Sequence, residues 1–201
     1  KSVSMKVLLL VFLVLLVGGA ALASYRYGRW SYESPDYTVE RKDGRFELRS
    51  YPDLVVVSTS MDEASPMEGG TFMRLFRYIA KGNEAEEKIA MTTPVLRDAD
   101  PSSNGGERMS FILPRSVAQK GPPAPASENV HIGEVIGGRF ASYRYQGTLS
   151  ASSEEEAKSK LQKWVRSQSL DTVGTMIIAN YDPPFTPPFL RRNEVLWRLQ
   201  G

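Results

Sequence analysis

Few side chains in this sequence could carry out catalysis. The chain has no cysteine and a single histidine, His131. Thiolate chemistry, disulfides and cysteine-ligated metals are therefore excluded, and a zinc or non-haem iron site of the usual type lacks its ligands. The sequence contains no glycine-rich phosphate loop and no Gly-x-Ser-x-Gly motif. Serine-histidine-aspartate chemistry would have to use His131, but nothing in the sequence selects a serine. We therefore expect a protein that is not an enzyme.

The apolar and basic side chains of the segment 69–95 suit binding better than catalysis. Five apolar residues recur at the spacing i, i+3, i+4, i+7 and i+8, namely Phe72, Leu75, Phe76, Ile79 and Ala80. This spacing predicts an amphipathic helix with one apolar face, ended by Gly82-Asn83. Three basic residues fall toward the edges of that face, namely Arg74, Arg77 and Lys81. A strand over 89–96 is expected to follow the helix closely.

The overall composition is that of an ordinary globular protein with nearly balanced charge. The 201 residues are 41% hydrophobic and 24% charged, which allows one compact domain with a good core, built of two halves. With 25 basic and 23 acidic residues, the net charge is +2. We therefore expect no nucleic-acid partner, because no global field attracts one.

The first 30 residues have the pattern of a segment that meets a membrane. A basic start precedes an uncharged run from Val7 to Ala23, somewhat shorter than the ~20 residues that usually span a bilayer. Ala21-Leu22-Ala23 has the small-x-small form of a signal-peptidase site, whereas the length of the run and the aromatic residues after it favour an uncleaved anchor. Either interpretation predicts an exported (periplasmic or extracytoplasmic) or membrane-anchored protein, with 31–36 as a linker before the domain 37–201.

Strand and helix signals recur in the same order along the two halves. Alternating apolar and polar residues predict strands over 37–49, 54–60, 109–113, 129–147, 173–181 and 193–199. A proline-rich run, 114–127, is expected to be an extended connector. A second helix is predicted after Ser150, with hydroxyls and acids at its start.

A shift of 85 residues brings the two halves into register. It matches Phe72, Phe76, Ile79 and Ala80 with Ala157, Leu161, Trp164 and Val165, and Met91, Phe111 and Ile112 with Met176, Leu196 and Trp197. The sequence therefore predicts an α+β fold of two βαββ repeats, about 37–114 and 128–199. They would form one antiparallel sheet or distorted open barrel with two helices packed outside.

Three separated motifs resemble the SOUL family of haem-binding proteins. They are GTFMRLFRYIAKGNEAEEKIAMTTPV, ANYDPPFTPPFLRRNEVLW and FELRSYPDLVVVSTS, and the similarity extends over roughly 37–199. The resemblance implies a repeated βαββ fold, similar to gyrase-inhibitor-like effector domains. It also implies a hydrophobic groove that binds haem or a related tetrapyrrole without catalysis.

Within that family, haem lies against the first helix and near the proline-rich loop. Carried onto this sequence, the resemblance implies contacts from Phe72, Phe76 and Arg77, and from the loop 182–192 with Arg191. A flat macrocycle needs apolar and aromatic walls, and its propionates need arginine or lysine at the rim. The two phenylalanines fit core packing equally well.

The proline-rich loop and the iron ligand each leave an alternative open. Arg191-Arg192-Asn193-Glu194 also fits a salt-bridged corner that fixes the loop. Some relatives have a histidine, proposed as axial iron ligand, where this chain has Ser50, and a basic residue where it has Thr186 and Pro187. His131 could replace the ligand, although a lone strand histidine is more often a surface residue.

The resemblance implies non-catalytic binding of haem or a related tetrapyrrole, for buffering or transport. The alternative is a module on the same fold that binds another apolar small molecule or a protein partner. The discriminating property is the absorbance of bound haem, which only the first function predicts.

Overall fold

The structure is a computed structural model that describes residues 5, 7, 9–16, 18–19, 32–61, 70–99 and 106–201. Lys1–Glu33 and Ser34–Gly201 are two compact units. In the first, residues 9–16 are helical and exposed. Within the described residues, no helix has both the length and the apolar content needed to cross a membrane. The predicted cleavage site Ala21-Leu22-Ala23 lies outside the described residues.

The second unit contains nine strands and two long helices among its described residues. The first half has β1 Thr38–Asp43, β2 Phe46–Tyr51, β3 Leu54–Ser60, α1 Gly70–Ile79, β4 Val95–Ala99 and β5 Glu107–Ile112. A short helix, α2 Arg115–Lys120, lies between the halves. The second half has β6 His131–Val135, β7 Gly138–Tyr145, α3 Ala151–Ser167, β8 Ile177–Asn180, a 3-10 turn Pro188–Leu190 and β9 Asn193–Arg198.

All nine strands join one antiparallel sheet in the order β1-β2-β7-β9-β8-β4-β5-β3-β6. The halves exchange strands, because β2 of the first half pairs with β7 and β6 of the second half pairs with β3. The two halves meet at the centre, where β4 pairs with β8 through Leu96↔Ala179. The predicted α+β fold with two outer helices is therefore confirmed.

Three apolar clusters divide the core between the two faces of the sheet. One lies under α3 and includes Leu161, Val165 and Val195. The second lies under α1 and includes Leu75, Ile79 and Phe111. A middle cluster fills the opposite, concave face, and its buried members are Tyr51, Val56, Leu96, Ile112, Phe140, Ala179 and Leu196. Both helices thus pack on the same face, and the halves share the other.

The internal repeat is present, but a uniform shift of 85 residues is wrong. The buried residues of α1 at 71, 75, 78 and 79 recur in α3 at 157, 161, 164 and 165, each 86 residues later. In the last strands, Phe111 and Ile112 correspond by cluster to Val195 and Leu196, which lie 84 residues later. Because a shift of one residue moves strand side chains to the other face, the predicted pairing of Ile112 with Trp197 was wrong.

Two predicted segments differ from the structure. Most of the predicted strand 89–96 forms no ladder, and β4 begins only at Val95, directly after Pro94, which lacks a backbone donor. The connector 114–127 is not wholly extended, because α2 forms within it. Pro114 precedes this helix and Gly121 follows it, with φ +88, as expected of residues that flank a short helix.

Candidate functional site

Helix α1 is closed at its end by the residues predicted to stop it. Lys81 adopts a left-handed φ of 104, and the backbone N of Gly82 donates to the Arg77 oxygen at 2.7 Å. A Cβ at Gly82 would lie 2.7 Å from that same oxygen, so only glycine fits there. Asn83 donates its side-chain amide to the Tyr78 oxygen at 2.9 Å. The end of α1 is therefore fixed by local chemistry.

The buried face of α1 is rotated from the one that apolar spacing predicts. Leu75 and Ile79 are buried as expected, but they are joined by Tyr78 and by Arg74, which is 3% exposed. Arg74 donates to the Thr59 hydroxyl at 2.7 Å. The prediction that Arg74 lies toward an edge beside Arg77 was therefore wrong, because a polar partner on β3 draws its guanidinium inward.

Phe72 and Phe76 are not core residues, because each is 42% exposed. Their rings lie 6.2 Å apart with planes 16° from parallel. Phe72 also packs on the buried ring of Phe111 at 5.1 Å. Met73 between them is 38% exposed. The three side chains form a continuous apolar surface on α1, which we call the α1 aromatic face.

Arg77 borders the α1 aromatic face and is exposed. Within the described part of the chain, no carboxylate or carbonyl accepts a hydrogen bond from its guanidinium. Guanidinium groups bind carboxylates through two parallel hydrogen bonds. Arg77 can therefore hold an acidic group of a molecule that lies on the two phenylalanines.

The proline-rich loop presents two further aromatic side chains. Phe185 is 86% exposed and Phe189 is 71% exposed. Arg191 holds the loop in shape, because its guanidinium donates to the Thr186 oxygen at 2.7 Å and to the Pro184 oxygen. The loop also accepts hydrogen bonds from Gln146 and Gly147 at the end of β7. Arg191 thus binds its own loop, and within the described residues none of its hydrogen bonds reaches α1.

The buried carboxylate of Glu194 forms the predicted salt-bridged corner, but with a different partner from Arg191. Glu194 is 0% exposed. It accepts hydrogen bonds from Arg49 at 2.6 and 3.2 Å, from Arg192 at 2.9 Å and from the Tyr181 hydroxyl at 3.2 Å. Arg192 also lies over the ring of Tyr181 at 3.8 Å. Arg49 is 145 residues away in sequence, so no local pattern could identify it.

These contacts fix the charge state of the corner. Burial alone would raise the pKa of Glu194, but hydrogen bonds and charge from Arg49 and then Arg192 lower that pKa below its ordinary value. Burial alone would lower the pKa of Arg49, and Glu194 raises it instead. Burial raises the pKa of Tyr51, which accepts from Arg49, to about 12. The corner therefore consists of the Glu194 carboxylate held by the guanidinium groups of Arg49 and Arg192, with the neutral hydroxyl of Tyr51 beside them.

The two candidate positions for an iron ligand lie away from α1. Ser50 is on β2 and pairs with Thr38 and Arg139, whereas α1 packs on β3 and β5. His131 is exposed on the edge strand β6 and pairs with Ser58. Ser58 follows Val57, which packs under α1, so the His131 side chain lies on the opposite face of the sheet. Nowhere in the described ranges do three or more His, Asp or Glu side chains gather as a metal site. The α1 aromatic face therefore fits the plane and acids of a tetrapyrrole but supplies no imidazole to its metal.

Two clefts open on the concave face of the sheet. The apolar one is lined by residues such as Tyr51, Leu54 and Phe140, and its volume is about 20 Å³, which is room for about one water molecule. The other is polar, with a volume of about 480 Å³. The apolar cleft is thus too small for a macrocycle in this structure.

Comparisons with known proteins place the chain in one family. A model of the family described as SOUL heme-binding protein matches residues 32–198. Heme-binding protein 2 of Mus musculus is 28% identical over 178 residues, covering 85% of this chain and 84% of that protein. Heme-binding protein 2 of Homo sapiens is 30% identical over 165 residues, covering 78% of each. The solved EcmrR C-terminal domain is similar in fold, with a TM-score of 0.55 at 11% identity, covering 82% of this chain and 98% of that one.

Proposed function

The chain belongs to the SOUL heme-binding protein family, and from that premise we propose that it binds haem or a related tetrapyrrole on the α1 aromatic face. The observation that carries this proposal is the exposure of Phe72, Met73 and Phe76 on one helix surface. Large apolar side chains grouped on a surface are typical of interaction sites. No side chain on this face suggests catalysis, so we propose binding alone.

Each part of the α1 aromatic face matches a part of the proposed ligand. The two phenyl rings offer apolar contact to a flat macrocycle. Arg77, at the border, offers hydrogen bonds to a propionate. The macrocycle would supply the Soret absorption, and iron bound in it would supply an open coordination position. Since the face has no imidazole, recognition is expected to depend on the ring and its acids more than on the metal.

The test is a titration of the full chain with haemin, followed by Soret absorbance. We expect saturable one-to-one binding that weakens by roughly 10- to 100-fold in Phe76→Ala with Arg77→Glu, since these changes remove an apolar wall and reverse a charge. The matched control is Gln162→Ala with Lys163→Glu, the positions 86 residues later on α3. Equal affinity in wild type, test variant and control would refute the α1 site.

A second titration separates tetrapyrrole binding from binding of other apolar ligands. The specific observation is the lack of an imidazole on α1, which makes iron-free protoporphyrin IX a suitable probe. We expect it to bind within about tenfold of haemin, a difference of roughly 1.4 kcal/mol. If neither compound binds but a general apolar dye does, the site serves another apolar molecule or a protein partner instead.

We also propose that the apolar segment within 1–30 delivers the domain to a membrane or across it, where haem buffering or transport would take place. The support is the basic start and the uncharged run Val7 to Ala23. Fractionation of cells that express the full chain or a chain lacking residues 1–30 tests this. Equal distribution of both between soluble and membrane or exported fractions would overturn it.

A further inference from the structure

The polar cleft of the concave face concentrates positive charge. Five basic side chains line it, namely Lys42, Arg45, Arg49, Arg144 and Arg192. The acidic groups that meet them are Glu47, which lines the cleft, Glu194, and Asp182, which accepts from the backbone N of Arg192 at 2.6 Å. Two of the five positive charges are therefore in excess. We call this the basic cleft.

Two of these arginines form no ion pair with a described residue. Lys42 and Arg49 pair with Glu47, and Arg49 and Arg192 pair with Glu194. In the described part of the chain, no carboxylate lies within ion-pair distance of the Arg45 or Arg144 guanidinium. The excess charge of the basic cleft therefore resides on this pair.

The backbones of Arg45 and Arg144 lie opposite each other, just before the start of β2 and near the end of β7. The backbone N of Arg144 donates to the Arg45 oxygen at 3.0 Å, one step beyond the pair Phe46↔Tyr143 in the β2–β7 ladder. Like charges directly opposite on neighbouring strands repel each other. Both side chains line the basic cleft. The carboxylate opposite Arg144 in the β7–β9 ladder is Glu194, which is already held by Arg49 and Arg192, so an oxyanion would stabilise the two arginines.

The other groups in the basic cleft can also donate hydrogen bonds. The Tyr37 hydroxyl and the Gln146 side chain line the same space. A phosphate group carries about 1.5 to 2 negative charges at pH 7 and offers three acceptor oxygens. It thus neutralises more of the excess charge than a single carboxylate, and the volume of about 480 Å³ accommodates it with part of the molecule that bears it.

We propose that the basic cleft is a binding site for a phosphate-bearing ligand, held by Arg45 and Arg144. This site is separate from the α1 aromatic face and does not depend on the proposed tetrapyrrole function. The phosphate could belong to a free small molecule or to a lipid headgroup. Phe189, which is exposed and accepts from Gln146 at the rim of the cleft, could contact the apolar part of a lipid.

The test is calorimetric titration of the full chain with inorganic pyrophosphate at low salt. We expect saturable binding that weakens roughly tenfold or more in Arg45→Ser with Arg144→Ser, because each removes a charge-assisted hydrogen bond. The matched control, Lys163→Ser with Arg166→Ser, removes the same charge from α3 and is expected to bind as wild type. Arg45→Lys with Arg144→Lys retains the charge and is expected to bind with intermediate affinity.

A parallel arm uses vesicles of phosphatidylcholine with and without phosphatidic acid. Pyrophosphate binding that requires both arginines supports the site with a free phosphate as ligand. Binding only to vesicles with phosphatidic acid, lost in the same double variant, supports it with a headgroup as ligand. No binding to either probe, or binding equal in the double serine variant and wild type, overturns the proposal. Haemin titration of this variant is expected to match wild type.

Discussion

The two halves of the domain share a backbone plan but present different chemistry at equivalent positions. On the outer face, α1 exposes Phe72 and Phe76, whereas the residues 86 positions later on α3 are Lys158 and Gln162. Both pairs lie beside a well-buried helix face, so packing does not require aromatic rings at either place. The aromatic rings of α1 are therefore available to a ligand, as the proposed tetrapyrrole site requires.

On the face of the sheet opposite the helices, the second half carries the more distinctive residue. In the first half, Ser110 on β5 is buried and bonds Ser58 at 2.8 Å. Its counterpart 84 residues later is Glu194, which holds Arg49 and Arg192. This position is thus neutral in the first half and charged in the second, where Glu194 forms an ion-paired corner to which the first half contributes Arg49. The two repeats therefore differ at equivalent positions on both faces of the sheet.

Removal of the buried carboxylate is expected to give the largest effect on this comparison. Glu194→Gln removes the carboxylate that both Arg49 and Arg192 contact and leaves only Glu47 beside Arg49, which is expected to lower the free energy of unfolding by about 3–5 kcal/mol. Ser110→Ala, at the equivalent position of the other half, is expected to cost only about 0.5–1.5 kcal/mol. Urea unfolding of both variants measures this. Equal losses would mean that the corner contributes no more than a neutral hydrogen bond.

Acid is expected to weaken the same corner without mutation. The pKa of Glu194 is lower in the folded chain than its ordinary value, so its contribution to stability is fully present above the unfolded pKa of about 4.3. It is lost as pH falls through the folded pKa. The pKa of Glu47 is also lower in the folded chain than its ordinary value. The stability difference between wild type and Glu194→Gln is expected to shrink from pH 7 to pH 3, and a constant difference would contradict this.

The sequence predicted the strands, helices and repeat because these depend on local apolar spacing. It could not decide which side of α1 is buried, since Phe72 and Phe76 are as apolar as Leu75 and Ile79. The apolar surface of this helix is wider than the face that packs on the sheet. The part that does not pack, Phe72, Met73 and Phe76, is the candidate site. A comparison of α1 with α3 at the correct shift would have found it.

The ionic corner could not be predicted from any single segment. In β2, Glu47, Arg49 and Tyr51 alternate with Phe46 and Leu48, the pattern of a strand with one solvent-facing side. The structure buries that side, because β7 and β9 follow β2 in the sheet and the Glu194 carboxylate accepts from Arg49 at 2.6 Å. The motif around Arg191 indicated a corner correctly, but only the sheet order identifies its second arginine.

Exchange of the helix surfaces tests the outer difference directly. Phe72→Lys with Phe76→Gln gives α1 the residues of α3, and we expect haemin affinity to fall roughly 10- to 100-fold, or about 1.4–2.8 kcal/mol. Stability is expected to change little, since both rings are 42% exposed. The converse variant, Lys158→Phe with Gln162→Phe, is the control for surface aromatics. Retained haemin binding in the first variant would place the tetrapyrrole elsewhere.

The smallest expected effect concerns the like-charged pair. Arg45→Ser removes the repulsion with Arg144 and leaves Arg144 opposite Glu194 in the β7–β9 ladder. Unfolding by urea at low salt is expected to show a gain of about 0.2–1 kcal/mol, which disappears at high salt because exposed charges are then screened. A structural arginine would give a loss instead. A salt-dependent gain, together with lost pyrophosphate binding, would mean that this position is kept basic for a ligand at some expense of stability.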